Sequence, residues 1–225
     1  KKKKLWKKKK KKKKGTKTLR KGERMHLADG VLSTTVIAAS YATAVAGMAY
    51  GAKGIEDEDV PKIALMAGTF FAVSLISIPV PPTSVHPLLC GLIGILLGKR
   101  AILAFFPALL LQALLFKHGG ITSLGANTVM LAVPAMLSSV LYRKLPIKQI
   151  SVCAGLIGGV SVVMTVVILI FLLFITDARF AAGDFSVVRI VVVGHLPLVF
   201  AEGVLTAAAM KFFERVKPEW ILGGM

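Results

Sequence analysis

Long apolar stretches, separated by short polar or Gly/Pro-rich segments, run from residue 31 to residue 214. Most of them approach the ~20 residues that a helix needs to cross a bilayer. They fall at 31–52, 61–79, 84–98, 100–117, 126–143, 149–176 and 186–214. The pattern predicts an all-α fold, a polytopic transmembrane bundle of about seven helices. The third and fourth stretches are short, so we expect them to be half-embedded or capped by other parts of the protein.

Composition supports a membrane protein and limits the meaning of the charge. Mean hydropathy is +0.74 and 55% of the residues are hydrophobic, which leaves too little polar surface for a soluble domain of this size. The net charge of +18 is concentrated, since residues 1–24 hold 16 of the 29 Lys and Arg. Residues 25–225 carry 13 basic and 10 acidic residues, a net charge of +3. We therefore expect the protein to lie in a lipid bilayer and not to bind nucleic acid.

The lysine-rich leader, residues 1–24, has no apolar core and so is not a secretory signal. One interpretation is a disordered polybasic tail that binds anionic lipid. The other is that it is not part of the mature protein, because residues 21–24 can be encoded by a purine-rich stretch resembling a bacterial ribosome-binding site just before Met25. We favour the second interpretation and predict a single transmembrane domain over residues 25–225.

The distribution of basic residues between the helices predicts their orientation. With Met25 outside and seven crossings, the inner segments hold ten Lys and Arg and the outer segments hold three. Cytoplasmic loops carry the excess of Lys and Arg. The bias predicts that the N-terminus lies outside and the C-terminus lies in the cytoplasm. A leader with 16 basic residues would violate the same rule.

This orientation brings all four histidines to the outer face, namely His26, His86, His118 and His195. A histidine within a membrane span is costly and is a functional hypothesis by default. The alternative for each one is a hydrogen-bonded structural histidine.

Met25 and His26 have a more specific chemistry if Met25 is the first residue. A free α-amine, the His26 backbone nitrogen and the His26 imidazole can close two adjacent chelate rings on one metal ion. One further imidazole would complete a square-planar nitrogen site, which suits Ni(II) or Cu(II). Any leader joined to Met25 would remove this ligand by converting the amine into an amide. The alternative is that His26 follows Met25 by chance.

Four motifs in this chain resemble those of one family of membrane proteins. They are MHLADGVLS at 25–33, PPTSVHPLLCGLIGILLG at 81–98, ALLLQALLFKHGGITSLGANTVMLAVPA at 108–135 and HLPLVFAEGVLTAAAMKFFERVKPE at 195–219. In order and content they resemble the CbiM/NikM family, the substrate-binding membrane subunits of energy-coupling-factor (ECF) transporters for cobalt and nickel. Two mild departures are Pro87, after the motif histidine, and Cys90, where the family often has Asn.

The resemblance implies roles for individual residues. It implies that Met25, His26 and His86 bind Co(II) or Ni(II), in agreement with the chelate above. Around them we expect a supporting or gating set whose alternative role is helix packing or capping. These residues are Asp29, His118, Asn127, His195 and Glu202. The resemblance also implies the plasma membrane of a prokaryote.

The resemblance further implies protein partners, namely a transmembrane coupling (T) subunit and two ATP-binding cassette ATPases. It leaves open whether a small accessory membrane subunit is needed. Ala38, Ala42 and Ala46 form a small-residue stripe that permits close helix contact. We expect either docking of the coupling subunit or internal packing at this stripe.

No GxxxxGK[ST] phosphate-binding motif occurs in the chain, so we expect no ATP hydrolysis by it and no enzymatic activity. We expect metal capture from the outer side, closure of the loop 117–126 as a lid, and inward release driven by the ATPases. The alternatives are a metal-independent secondary transporter, for which Glu202 is the only deeply placed acid, and a structural membrane subunit. The sequence does not choose between nickel and cobalt.

Overall fold

The structure is a computed structural model that describes residues 27, 29–76, 78–80, 83–181 and 187–222. Two three-residue strands, β1 (Ile78–Val80) and β2 (Thr83–Val85), pair in an antiparallel hairpin. Short 3-10 turns occupy Gly98–Arg100 and Ala178–Ala181. The helices are, in chain order, α1 (Thr34–Ala52), α2 (Asp59–Ser74), α3 (Cys90–Leu97), α4 (Ala101–Phe116), α5 (Leu124–Lys144), α6 (Ile150–Thr176), α7 (Val187–Val216) and α8 (Pro218–Leu222).

The prediction of an all-α transmembrane bundle is confirmed. Helices α1 to α7 correspond to the seven predicted stretches, and α8 is a short addition after them. Among the described residues, five helical segments are long and apolar enough to cross a membrane when 90–116 is taken as one segment.

That segment reverses direction at Gly98. The backbone there has φ +55°, a left-handed conformation that glycine adopts without strain. His86 precedes α3 and His118 follows α4, yet their ring centroids are only 5.5 Å apart. Helices α3 and α4 therefore form a helical hairpin, which runs from His86 to the turn at Gly98 and back to His118. Because the eight residues of α3 rise only about 12 Å, the non-helical residues 86–89 supply part of the descent.

The segment between α2 and α3 departs from the predicted helix boundaries. Helix α2 ends at Ser74 and α3 begins at Cys90, whereas the sequence predicted helix through 79 and again from 84. Proline has no backbone N–H and clashes with the preceding turn of a helix, so the prolines at 79, 81 and 82 cannot continue α2. The chain forms the β1–β2 hairpin instead, and β2 ends one residue before His86.

Helix α3 lies at the centre of the bundle, with all eight of its residues buried. Glycines allow this close packing. A Cβ at Gly94 would lie 2.0 Å from the carbonyl oxygen of Ala135 in α5. A Cβ at Gly91 would lie 2.6 Å from the Cα of Gly158 in α6. Backbone approach of this kind is how helices associate where no hydrophobic effect drives them together.

The two ends of the bundle differ in chemistry. The histidine end is defined here by Asp29, His86 and His118. At the opposite end, the Lys99 ammonium donates to the Lys53 carbonyl at 2.7 Å, and Arg100 pairs with Asp59. This second end is called the basic end and is defined by Lys62, Lys99, Arg100, Arg143 and Lys144.

Candidate metal centre

His86 and His118 form the centre of the histidine end. Their rings meet edge to face, with 5.5 Å between centroids and 89° between planes. Both are buried, at 2% and 6% exposure. The β1–β2 hairpin delivers His86, and the end of α4 delivers His118. The structure thus brings together a predicted ligand and a predicted gating residue.

The orientation of the His86 ring is set by its neighbour in the chain. Its Nδ1 lies 2.9 Å from the carbonyl oxygen of Pro87. A carbonyl only accepts hydrogen bonds, so Nδ1 carries a proton, and in the neutral ring Nε2 carries the lone pair. Fixing the tautomer through the second ring nitrogen is the usual way to prepare a histidine for a metal. Imidazole nitrogen suits several divalent transition metals, Ni among them.

Helix α4 ends in a way that turns His118 inward. Lys117 takes a left-handed conformation with φ 51°, and both its N–H and that of His118 donate to the Gln112 carbonyl. The chain therefore folds back over the last turn of α4, which leaves Lys117 exposed and His118 buried.

Leu27 is held by two side chains near the start of α5. Its N–H donates to Asn127 Oδ1 at 3.1 Å, and its carbonyl accepts from Asn127 Nδ2 at 3.2 Å. Ser123 Oγ also donates to the Leu27 carbonyl. The Leu27 side chain packs in an apolar cluster that includes Val36 and Met130. The residue that directly follows His26 is therefore fixed in position, while Met25 and His26 themselves lie outside the described residues.

A second contact ties the N-terminal segment to the loop after α4. Asp29 Oδ1 accepts from the Thr122 N–H at 2.9 Å and from the Thr122 hydroxyl. Gly120 makes room for this carboxylate, because a Cβ there would lie 2.1 Å from Asp29 Oδ1. Ser123 Oγ bridges the Gly120 and Leu27 carbonyls, so the loop that carries His118 also holds the N-terminal segment.

Glu202 supports the His86 turn from α7. Its carboxylate is fully buried and accepts from the N–H groups of Leu88 and Leu89, with Leu89 N at 3.0 Å from Oε1. These amides belong to non-helical backbone, which a membrane protein tolerates only where it is buried and satisfied by protein. Glu202 therefore fixes the turn two residues after His86.

His195 has a different environment. Its Nδ1 lies 2.6 Å from the carbonyl of Val191, one turn earlier in α7. A bond within its own helix favours the packing role that the sequence left open as the alternative. Across the described ranges, His, Cys, Asp and Glu side chains do not gather in groups of three that could hold a metal ion.

Sequence reasoning named Gly120 in the candidate lid loop but missed Thr122 and Ser123 as individual residues. The signal was present, because two hydroxyl residues directly before α5 are typical of helix starts and of side-chain contacts to backbone. The small-residue stripe of α1, in contrast, was found from the sequence, which left docking and internal packing open as its roles. Ala38, Ala42 and Ala46 all lie on the exposed side of α1.

Comparison with known proteins identifies a family and a fold. Residues 26–220 match the CbiM family model, described as a cobalt uptake substrate-specific transmembrane region. The cobalt transport protein CbiM of Sorangium cellulosum is 30% identical over 210 residues, covering 87% of this chain and 93% of that protein. The fused nickel transport protein NikMN of Rhodobacter capsulatus is 35% identical over 115 residues, covering 48% of this chain and 33% of that protein.

A solved structure supports the same assignment at the level of the fold and the sequence. The crystal structure of a transition metal transporter superposes with a TM-score of 0.76 at 25% identity, covering 88% of this chain and 96% of that one. Since the family model matches residues 26–220, which is most of the chain, the chain belongs to the CbiM family of cobalt-uptake substrate-specific transmembrane proteins.

Proposed function

We propose that this chain is the substrate-capture subunit of an ATP-driven ECF-type uptake transporter for divalent cobalt or nickel ions. The observation that carries the proposal is the double hydrogen bond between Asn127 and the Leu27 backbone. Asn127 and Ser123 hold Leu27 against the segment that follows His118, so the two residues before Leu27 would begin at the histidine end.

In this proposal the metal is bound by nitrogen atoms from two parts of the chain. The α-amine of Met25, the backbone nitrogen of His26 and the His26 imidazole supply three donors, and His86 supplies the fourth. Leu27 is immobilised one residue away from His26, and Glu202 immobilises the turn after His86. Both halves of the site would be preorganised, which lowers the entropic cost of binding.

The loop 117–126 acts as the lid over this site. Three contacts attach it to the N-terminal segment and to α1, since Asp29 bonds to Thr122, Ser123 bonds to Leu27, and the Tyr41 hydroxyl donates to the Ile121 carbonyl. A lid of this kind would exclude water when the metal is bound and would open by exchanging a few hydrogen bonds. His118 lies on this loop and contacts His86, so it would couple metal binding at His86 to the position of the lid.

Energy and membrane context come from partners in this proposal. A transmembrane coupling subunit and two ATP-binding cassette ATPases drive release, and the site faces outward across the plasma membrane of a prokaryote. The exposed alanine stripe of α1 supports docking of the coupling subunit rather than internal packing. Glu202 gives little support to secondary transport, because its oxygens are engaged by backbone amides.

Thermal unfolding with and without metal tests the proposal. A chain that begins at Met25 should be stabilised by Ni(II) or Co(II) but not by Mg(II). The stabilisation should disappear in His26→Ala and in His86→Ala, and also when residues 1–24 precede Met25. His195→Gln is the matched control and should keep the stabilisation, since its ring bonds within α7. Unchanged unfolding temperatures with both metals would leave the structural-subunit alternative.

A further inference from the structure

The basic end of the bundle contains a cavity that metal capture does not use. Its volume is about 530 Å³, within the range of small-molecule sites in proteins. It lies between the α3–α4 turn, α2 and the last turns of α5, at the opposite end of α3 from His86.

The rim of this cavity is strongly positive. Five basic side chains line it against one acid, Asp59, which already pairs with Arg100. The basic side chains are Lys62, Lys99, Arg100, Arg143 and Lys144. A concave surface that holds several like charges is stabilised by an anion that neutralises them.

Hydrogen bonds hold two of the cations in place. Lys62 Nζ donates to the Trp220 carbonyl at 2.9 Å, and Lys99 Nζ donates to the Lys53 carbonyl at 2.7 Å. Each ammonium has three donors, so each retains N–H groups for a ligand. Their positions are thus fixed before any anion arrives.

The deeper wall of the cavity is apolar. Leu96, Leu97 and Met136 line it, together with Val140, which is also 47% exposed on the outer surface of α5. Val140 is exposed on a helix that is long and apolar enough to cross a membrane, so we expect the cavity to open toward lipid as well as toward the polar surface. Tyr50 stands at the rim with the Lys99 ammonium 5.7 Å from its ring centroid, and tyrosine is enriched at the headgroup level.

We propose that this cavity binds one anionic phospholipid from the surrounding bilayer. Its phosphate would lie among the basic side chains, and its acyl chains would lie along Leu96, Met136 and Val140. A free phosphate would use the charge but not the apolar wall, and an acidic protein segment would not need an opening toward lipid. Basic pockets between transmembrane helices are known to take anionic headgroups. The proposal needs only a membrane location and does not depend on metal transport.

Native mass spectrometry of the full chain from detergent micelles tests this. The micelles contain dioleoyl-phosphatidylglycerol or, as the neutral lipid, dioleoyl-phosphatidylcholine. The double variant Arg143→Gln/Lys144→Gln should retain phosphatidylglycerol about 10- to 30-fold less tightly than the unmodified chain. Residues 1–24 are present in every sample, so any lipid that they bind cancels in the comparison.

Lys211→Gln/Arg215→Gln is the matched control, because it removes the same charges from exposed positions near the end of α7, outside the cavity. It should bind phosphatidylglycerol as the unmodified chain does. Equal loss in both double variants would overturn the proposal. So would equal thermal stabilisation by inorganic phosphate or glycerol 3-phosphate, which would indicate a free anion. A third result would also overturn the proposal. If Arg143→Gln/Lys144→Gln bound phosphatidylglycerol as the unmodified chain does but no longer bound the coupling subunit, the ligand of the cavity would be a protein.

Discussion

Asn127 pairs with the backbone of Leu27 through both ends of its amide, at 3.1 Å and 3.2 Å. The side-chain amide of Asn127 pairs with the Leu27 backbone as the backbone of a neighbouring strand does in a β-sheet. It satisfies both polar groups of a buried backbone unit, which would otherwise cost about 1–3 kcal/mol each. It also fixes the position of Leu27 itself, the residue that follows His26 in the sequence.

Asn127→Ala should weaken Ni(II) or Co(II) binding by about 10- to 100-fold, as expected for loss of a residue that orients a metal ligand. Asn127→Asp should have an intermediate effect, because it keeps the acceptor for the Leu27 N–H and loses the donor to its carbonyl. Affinity can be measured by competition with a chromophoric chelator, using a chain that begins at Met25.

Thr128→Ala is the control for this experiment, since Thr128 is also buried on α5 but its hydroxyl donates to Leu124 within the helix at 2.8 Å. Its metal affinity should match that of the unmodified chain. A folded Asn127→Ala protein with full affinity would show that anchoring Leu27 does not prepare the site.

Gly120 and Asp29 should behave as one interaction. Gly120→Ala places a methyl group where the Asp29 carboxylate now lies, and Asp29→Ala removes that carboxylate. Each variant loses the bonds to Thr122, so each should lower the free energy of unfolding by about 1–2 kcal/mol. The double variant should cost little more than either single one, because both remove the same contact.

Thermal unfolding of the four proteins measures this coupling. Gly68→Ala is the matched control, since no atom lies within 4 Å of a Cβ there, and it should be neutral or slightly stabilising within α2. Additive losses in the double variant would mean that Gly120 is needed for another reason.

The helices were predictable where hydropathy and backbone conformation change at the same residue. The stretch 149–176, for example, became α6 at Ile150–Thr176. Hydropathy remained high after the end of α2 and before the start of α3, although the backbone there is not helical. The predicted end of α2 and the predicted start of α3 were therefore wrong. Residues 87–89 are buried and apolar but non-helical, and the acceptor for the N–H groups of Leu88 and Leu89 is a distant residue, Glu202. A local pattern cannot show a partner more than 100 residues away.

In the candidate site, too, the sequence predicted some features, and others depend on contacts between distant residues. The sequence predicted that His86 and His118 lie at one end of the bundle. That prediction needs only the number of crossings between the two histidines and the orientation given by charge counting. The contacts between Leu27 and Ser123 or between Asp29 and Thr122 depend instead on side-chain geometry across long sequence separations. The orientation of the bundle across the membrane stays a prediction from charge counting.

Glu202→Ala should destabilise the bundle strongly. It leaves the N–H groups of Leu88 and Leu89 without their acceptor in a buried segment, at a cost of about 2–5 kcal/mol. Glu202→Gln should cost less, since its carbonyl oxygen can still accept one of the two bonds. Thermal unfolding in detergent measures both. Glu214→Gln, an exposed position on the same helix, should change little. Equal stability of Glu202→Ala and the unmodified chain would show that these amides find other acceptors.

Lys117→Gly should stabilise the protein. Lys117 is an exposed residue held at φ 51°, where a non-glycine side chain costs roughly 1–2 kcal/mol and glycine costs almost nothing. Part of that gain is lost to the greater freedom of glycine in the unfolded chain, so a net gain of about 0.5–1 kcal/mol is expected. Lys148→Gly, at an exposed basic residue in the turn before α6 with no positive φ, should give no such gain. A higher unfolding temperature for Lys117→Gly alone would show that the turn that precedes the buried His118 is strained, and an equal or lower temperature would show that Lys117 costs nothing there.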